Sequence, residues 1–168
     1  MGRVVFSRLR PDNVAATKGP TKTRLKGRND MFTRIMAPVD LAHIESLERA
    51  LFCAADLAKH YHAPITYVGV TSSGPTSVAA NPEQFDRKLS AFAEGEAGKH
   101  GIEVKAHTSI AHDPPTEVDD ALLRAIDETG ADLVVMASHV PGALDNIWPS
   151  NGGKVSSHAK CAVMLIRP

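Results

Sequence analysis

The sequence is poor in the features that stabilise secreted or membrane-embedded chains. Its two cysteines, Cys53 and Cys161, stand far apart in 168 residues and match no metal-ligand spacing. No apolar run approaches the roughly 20 residues that a membrane-spanning helix needs, and the N-terminus has no apolar core of signal-peptide length. We therefore expect no membrane association, a reducing and cytoplasmic location, and thiols buried as small hydrophobic groups.

Motifs that would assign an enzymatic reaction are also missing. There is no Walker A phosphate loop, no nucleophile elbow and no Ser-His-Asp order. The histidines lack metal-ligand spacing except for His60 and His62, which would face different ways on a helix. No catalytic or metal-binding residue is assigned, so enzymatic activity stays uncertain, and slow ATP hydrolysis is the most that the sequence admits.

The net charge is zero but is unevenly distributed. Residues 1–30 hold eight basic and two acidic residues, a net charge of +6, so residues 31–168 carry −6. The basic segment has no sustained periodicity, and we expect it to be disordered. Three interpretations stay open: a region upstream of a true start at Met31, a solvated tail without a role, or an arm for nucleic acid or anionic lipid. The acidic body argues against a nucleic-acid partner for the fold itself.

From Met31 onward, short apolar runs alternate with segments of helical periodicity. The predicted strands cover residues 32–39, 65–70, 102–111, 133–137 and 162–166. The predicted helices begin near His43, at an Asn81 cap with Pro82, at a Thr116–Asp119 capping box, and at about Asn151. Gly101 and Gly130 end the second and third helices. This alternation predicts an α/β fold with a parallel sheet and helices on both faces.

Two stretches of the predicted sheet are candidates for a ligand site. In such folds ligands bind beyond the carboxyl ends of the strands, where the strand order reverses, which indicates Asp40 and residues 137–140. Residues 150–154 resemble a helix start whose free N–H groups can hold an anion. Asp40 has a second interpretation as a helix N-cap, and Ser150 and Asn151 have the same alternative. We expect Lys154 to be solvated and Trp148 to pack over the loop or a partner.

These pieces resemble the universal stress protein family along residues 31–168. The resemblance lies in IMAPVD at the first strand, LVVMASH at the fourth, the PSN turn, and SSHAKCAVMLIRP at the end. It implies a five-stranded parallel sheet of order 3-2-1-4-5, an adenine-nucleotide α-hydrolase-like (Rossmann-like) fold, and a homodimer. Many members of the family bind ATP through G-x-x-G, nine residues, then G-S or G-T.

The sequence departs from that nucleotide motif. The matching positions are Ala137, Val140, Ser150 and Asn151, so all three glycines are replaced. ASHVP followed by PSN is instead similar to the family's F/G-like branch, which commonly carries A-S-H-R-P and G-S-N. Val140 stands where arginine is usual, and Pro149 where glycine is usual. Because a charge-assisted phosphate contact contributes about 1.5–3 kcal/mol, we expect a weakened nucleotide affinity.

The resemblance implies a cytoplasmic stress-response homodimer that binds ATP or AMP, with Mg²⁺, as a sensor or regulator. The alternative is a nucleotide-free stress dimer that acts through contacts with an unidentified regulatory protein; a related hydrolase is a third hypothesis. The final strand should form the dimer, since an uncovered apolar edge invites pairing. The expected nucleotide contacts are Pro38, Val39, Asp40, Val70, Met136, Ala137, His139, Val140, Ser150, Asn151 and Gly152.

Overall fold

A computed structural model describes residues 31–112, 114–138 and 151–167, without the side chains of residues 114–116 and 151. The predicted tail of residues 1–30 and the site residues His139, Val140 and Ser150 lie outside the described residues. So do Trp148, Pro149 and the side chain of Asn151. The described residues have an α/β fold, as predicted.

The centre of the fold is a parallel sheet with the strand order β3-β2-β1-β4-β5, which confirms the expected order. The strands are β1 (Ile35–Pro38), β2 (Ile65–Ser72), β3 (Val104–Ala111), β4 (Leu133–Ala137) and β5 (Ala162–Ile166). The helices are α1 (Glu48–Tyr61), α2 (Pro82–His100), α3 (Pro114–Thr129) and α4 (Asn151–His158). A short 3-10 helix, Ile44–Leu47, precedes α1.

Helix boundaries follow local chemistry where the sequence signals are strong. Asn81 accepts a hydrogen bond from the backbone N–H of Gln84 at 2.8 Å, and the Gln84 side chain accepts from Ala80 N at 2.6 Å. This reciprocal pair satisfies donors that a helix start leaves free. At the other end of α2, Gly101 adopts φ +65°, and its N–H donates to Ala97 O at 2.8 Å. The predicted cap and stop of α2 are therefore confirmed.

Two predicted boundaries are wrong, and one predicted helix begins in another form. The helical segment expected from His43 to Tyr61 is present, but its first turn, Ile44–Leu47, is a 3-10 helix that follows the tight turn of Asp40 with residues 42 and 43. The helix start predicted at Thr116 is wrong, since α3 already begins at Pro114 and Thr116 lies inside it. β1 covers four residues rather than eight, because the backbone N–H groups of Thr33 and Arg34 donate to the carboxylate of Asp132, the residue just before β4.

Two apolar layers hold the helices against the sheet. One lies under α1 and α2 and the other under α3 and α4, so the buried strands β1 and β4 contribute to both. In β2, Gly69 allows α2 to approach closely: a Cβ there would lie 2.6 Å from Phe85 Cε1. The two thiols are partly rather than fully buried, and burial raises the pKa of both Cys53 and Cys161.

Candidate functional site

A crevice opens between the carboxyl ends of β1 and β4. The pairing of β1 with β2 runs to Pro38 and Val68, whereas the pairing of β1 with β4 ends at Met36 and Val134. β4 itself continues to Ala137. Since the strand order reverses between these two strands, the crevice lies at the topological switch point of the sheet, where α/β folds bind ligands.

Backbone polar groups point into the crevice from both sides. Val68 O accepts from Val39 N at 2.8 Å, so the peptide groups of Val68 face β1. The peptide groups of alternate residues in a strand face the same neighbouring strand. The peptide groups of Val70 therefore also face β1, beyond Pro38, the last residue of β1 that pairs with β2. In β4, Leu133 N donates to Arg34 O at 3.3 Å, so Ala137 faces β1 by the same alternation. The crevice thus offers donors and acceptors suited to a planar heterocycle.

Four of the predicted contacts lie at the ends of β1 and β4, two at each. Pro38 and Val39 are buried, and Val39 supplies the last hydrogen bond between the end of β1 and β2. Met136 is 3% exposed, so its side chain belongs to the core, and its peptide groups face β5 like those of Asp132 and Ser138. Met136 therefore turns neither its side chain nor its backbone into the crevice. Ala137 is partly exposed and stands in a regular strand; among the described residues, His62 alone is a non-glycine with positive φ. The first lost motif glycine therefore causes no backbone strain.

Asp40 lies directly after β1 with its carboxylate already engaged. Oδ1 accepts from Ala42 N at 2.9 Å, and Oδ2 lies 2.8 Å from His43 Nδ1. A carboxylate only accepts, so Nδ1 must carry the proton, and Nε2 is left for solvent or a ligand. Asp40 caps this turn and not α1, which corrects the helix-cap interpretation.

His43 is the site residue that sequence reasoning missed. Its side chain is 42% exposed beside the Asp40 carboxylate, which orients the ring. The signal was present in the order Asp-x-x-His directly after a buried strand. Metal-ligand spacing between histidines does not reveal this order, because the partner of His43 is a carboxylate. Within the described ranges, no three His, Cys, Asp or Glu side chains come together as metal ligands.

The start of α4 forms the other side of the site. α4 begins at Asn151, so the amides of its first turn, including that of Gly152, have no partner within the helix. Gly152 also has a packing role, because a Cβ there would lie 3.1 Å from Leu165 Cδ2. Lys154 is not simply solvated: Nζ lies 2.9 Å from Asp120 Oδ1 and ties α4 to α3. That contact leaves the first turn of α4 as the part of the helix available to an anion.

The pKa values of the two aspartates near Lys154, Asp119 and Asp120, shift in opposite directions. Burial raises the pKa of Asp119, although the nearby Lys154 ammonium opposes the shift. The hydrogen bond from Lys154 lowers the pKa of the exposed Asp120. Lys154 therefore pairs with a charged carboxylate at neutral pH, which fixes α4 beside the crevice.

The comparisons with known proteins agree with this architecture. The sequence model of the universal stress protein family matches residues 31–167. Universal stress protein G of Shigella flexneri is 26% identical over 151 residues, which cover 82% of this chain and all of that protein. The same figures hold for universal stress protein G of Escherichia coli O157:H7. These relatives are consistent with the expected F/G-like branch.

Solved structures share the fold at lower identity. A universal stress protein from Archaeoglobus fulgidus is 22% identical with a TM-score of 0.59, covering 80% of this chain and 98% of that one. A universal stress protein from Arabidopsis thaliana, solved with AMP bound, is 19% identical with a TM-score of 0.56, covering 80% and 91%. Among the described residues, none of the helices combines the length and apolarity that a membrane crossing needs. By its sequence from residue 31 to residue 167, this chain belongs to the universal stress protein family.

Proposed function

We propose that this protein binds an adenine nucleotide, AMP or ATP, in the crevice between β1 and β4 and acts as a stress-response regulator. The observation that carries the proposal is the pair of strands that turn backbone groups into one crevice, Val70 from β2 and Ala137 from β4. Adenine presents adjacent donors and acceptors on its edge, which such backbone groups can match. Universal stress proteins of the same fold were solved with AMP, dAMP and cAMP.

Each part of the nucleotide has a proposed partner. The base lies against Val70 and the buried end of β1 at Pro38 and Val39. The ribose lies near Asp40 and His43. The phosphates lie at the first turn of α4, where free amides and the helix dipole favour negative charge. With ATP, Mg²⁺ would be held by phosphate oxygens rather than by a protein cage, as this ion prefers.

Calorimetric titration of the full chain with AMP, ATP and ATP plus Mg²⁺ tests the proposal. Saturable binding of AMP is expected, with IMP at least about tenfold weaker, because inosine inverts the hydrogen-bonding edge and leaves backbone groups unpaired. Asp40→Asn should weaken AMP by about tenfold, while Asp56→Asn, an exposed change on α1, should leave it unchanged. Absence of heat and of any thermal shift at millimolar nucleotide would refute the proposal.

One observation favours the alternative function, a nucleotide-free dimer that acts through a regulatory protein. Both oxygens of Asp40 already have partners within their own turn, Ala42 and His43. A ribose must therefore displace or share these hydrogen bonds. Failure of the titration, together with retention of the dimer proposed next, would select this alternative.

We also propose a homodimer through the free edge of β5. β5 contains no charged residue, and its Met164 and Leu165 are 37% and 38% exposed. Ala162 N donates to Asp132 O and Ile166 O accepts from Ser138 N, so even-numbered residues bond to β4. The peptide groups of Val163 and Leu165 consequently point outward, where a second copy can pair with them.

This alternation gives a matched pair of variants for the dimer. Leu165→Pro removes an outward N–H and should yield a folded monomer, measured by light scattering after size-exclusion chromatography. Met164→Pro removes an inward N–H, and should cost about 3 kcal/mol or more of unfolding free energy. A folded Leu165→Pro dimer would contradict the proposed edge.

A cytoplasmic location completes the proposal. Its support is the pair of free, half-buried thiols, and fractionation of cells tests it.

A further inference from the structure

A cavity of about 540 Å³, widely open to solvent, lies on the α1–α2 face of the sheet, next to the turn that follows Asp40. Three segments form it: the turn that follows Asp40, the loop that follows β2, and the first half of α2. The lining residues are Leu41, Ala42, Ile44, Ser77, Val78, Lys88 and Phe92. A volume of this size is typical of sites for small organic ligands.

The walls of this cavity are mainly apolar, and one of them is an aromatic ring. Phe92 packs edge-on against the buried Tyr67, with ring centroids 5.4 Å apart and an interplanar angle of 79°. The contact fixes the Phe92 ring, because Tyr67 is fully buried in β2. Leu41, Ile44 and Val78 supply aliphatic surface around it. A flat hydrophobic group can therefore stack on a ring that is already held in place.

The cavity has one charged residue, Lys88, and no carboxylate in its lining. Lys88 Nζ donates to the backbone oxygen of Val78 at 2.5 Å, and no ion pair to it is found within the part of the chain that the structure describes. An ammonium group has three donors, so this bond leaves capacity for an anion. Ser77 adds a hydroxyl on the same loop. The charge of the site is thus complementary to a single negative group.

A second cavity on the same face has the opposite character. It measures about 310 Å³ and is lined by two carboxylates, Glu48 and Glu96, together with Lys99 and His100. Its basic residues are already paired: Lys99 Nζ lies 3.6 Å and His100 Nε2 lies 3.3 Å from Glu96. This cavity offers a small anion no unpaired cation, and it provides the control for the site at Lys88.

We propose that the cavity at Lys88 and Phe92 is a second ligand site, selective for a small aromatic carboxylate that stacks on Phe92 and places its negative group at Lys88. The site is separate from the proposed nucleotide crevice and does not depend on nucleotide binding. It adjoins the crevice through the turn of residues 40–44, since Ala42 both lines the cavity and donates to Asp40.

Protein-observed NMR titration with 2-naphthoate tests the site. Saturable shifts are expected at the amides of the lining residues, and the matched neutral probe, 2-naphthalenemethanol, should bind about tenfold more weakly for want of the charge-assisted contact. Lys88→Met should bring the two probes within about twofold of each other, whereas Lys99→Met in the second cavity should preserve the difference. Ala42→Trp, which fills the cavity, should abolish the shifts.

Three results would overturn the proposal. The first is the absence of saturable shifts at these amides at millimolar 2-naphthoate, the second is an unchanged anion preference in Lys88→Met, and the third is direct competition by AMP. Saturating AMP should leave the affinity of the probe within about twofold, and direct competition would assign the cavity to the base of the nucleotide instead. If AMP fails to bind at all, the proposed function fails, whereas the carboxylate site is still decided by the NMR titration with 2-naphthoate.

Discussion

The two ends of the sheet each carry an aspartate, and the two carboxylates serve different purposes. At the amino end, Asp132 accepts from Thr33 N at 2.8 Å, Thr33 Oγ1 at 2.6 Å and Arg34 N at 3.0 Å. These donors lie about a hundred residues away in sequence, so Asp132 ties β4 to β1. At the carboxyl end, the described partners of the Asp40 carboxylate lie in its own turn, at Ala42 and His43.

The two ends of the sheet therefore differ in how firmly their strands are joined. The amino end is closed by hydrogen bonds across strands: Asp132 O also accepts from Ala162 N, which brings in β5. At the carboxyl end, the pairing of β1 with β4 stops at Met36 and Val134, so the described parts of these two strands are not joined beyond that point. A carboxylate that bridges distant segments stabilises the native state, whereas one that bonds locally can exchange its partners for a ligand.

The largest effect is expected when the bridge at the amino end is removed. Asp132→Ala leaves the backbone N–H groups of Thr33 and Arg34 without their acceptor, and should lower the free energy of unfolding by about 2–4 kcal/mol. Urea denaturation measures it, with Asp127→Ala, an exposed change on α3, as the control. A loss no larger than that of the control would remove the distinction between the two ends.

The contribution of Asp132 should also depend on pH. Partial burial raises the pKa of Asp132, but hydrogen bonds from Thr33 and Arg34 outweigh burial and hold the pKa below its usual value. A depressed pKa stabilises the folded state above the unfolded pKa, near 3.9, and the benefit is lost as pH falls through the folded pKa. The stability difference between wild type and Asp132→Asn should therefore be constant from about pH 5 to 7 and shrink below about pH 4. A difference that grows on acidification would contradict the assignment.

A smaller effect is expected at the start of α4, at the carboxyl end of the sheet. Gly153→Ala has free space and should stabilise the protein by about 0.5–1 kcal/mol through helix propensity. Gly152→Ala should gain less or lose stability, because its new Cβ meets Leu165 Cδ2 at 3.1 Å. Thermal unfolding of the two variants measures the difference. Equal gains would show that α4 does not rest on β5 as closely as the structure indicates.

The smallest effect on stability is expected at Asp40. Its two bonds close one exposed turn, so Asp40→Ala should change the unfolding free energy by about 0.5 kcal/mol or less, measured by the same urea titration. A loss comparable to that of Asp132→Ala would mean that the turn at residues 40–43 is structural. The two ends of the sheet would then not differ in purpose.

Local chemistry explains how much of the fold could be predicted from the sequence. The Asn81 cap, the Gly101 stop and the apolar run of β4 each follow from a few neighbouring residues, and the structure confirms them. The helix start predicted at Thr116 is wrong, because the helix begins two residues earlier at Pro114, in a position that suits proline. Glu117 accepts from His112 N at 2.9 Å. Where two local signals compete, the sequence does not rank them.

The candidate site was predicted only in part. The rule for parallel sheets indicates the ends of β1 and β4, where the strand order reverses. It did not show that Asp40 would be bonded to His43, since side-chain rotamers decide that contact. The cavity at Lys88 and Phe92 was not predicted at all. It lies between three segments that are distant in sequence, and no spacing pattern records it.

The sequence by itself determined the alternation of strands and helices, the ends of several helices, and the apolar character of β5, because these depend on interactions between near neighbours. The strand order was expected only through resemblance to a family. Only the tertiary structure decided that Asp132 would join β1 to β4 at one end of the sheet, while the pairing of these strands stops at Met36 and Val134 near the other. The reason is physical: a hydrogen bond across about a hundred residues exists only once the sheet has brought its donor and acceptor together.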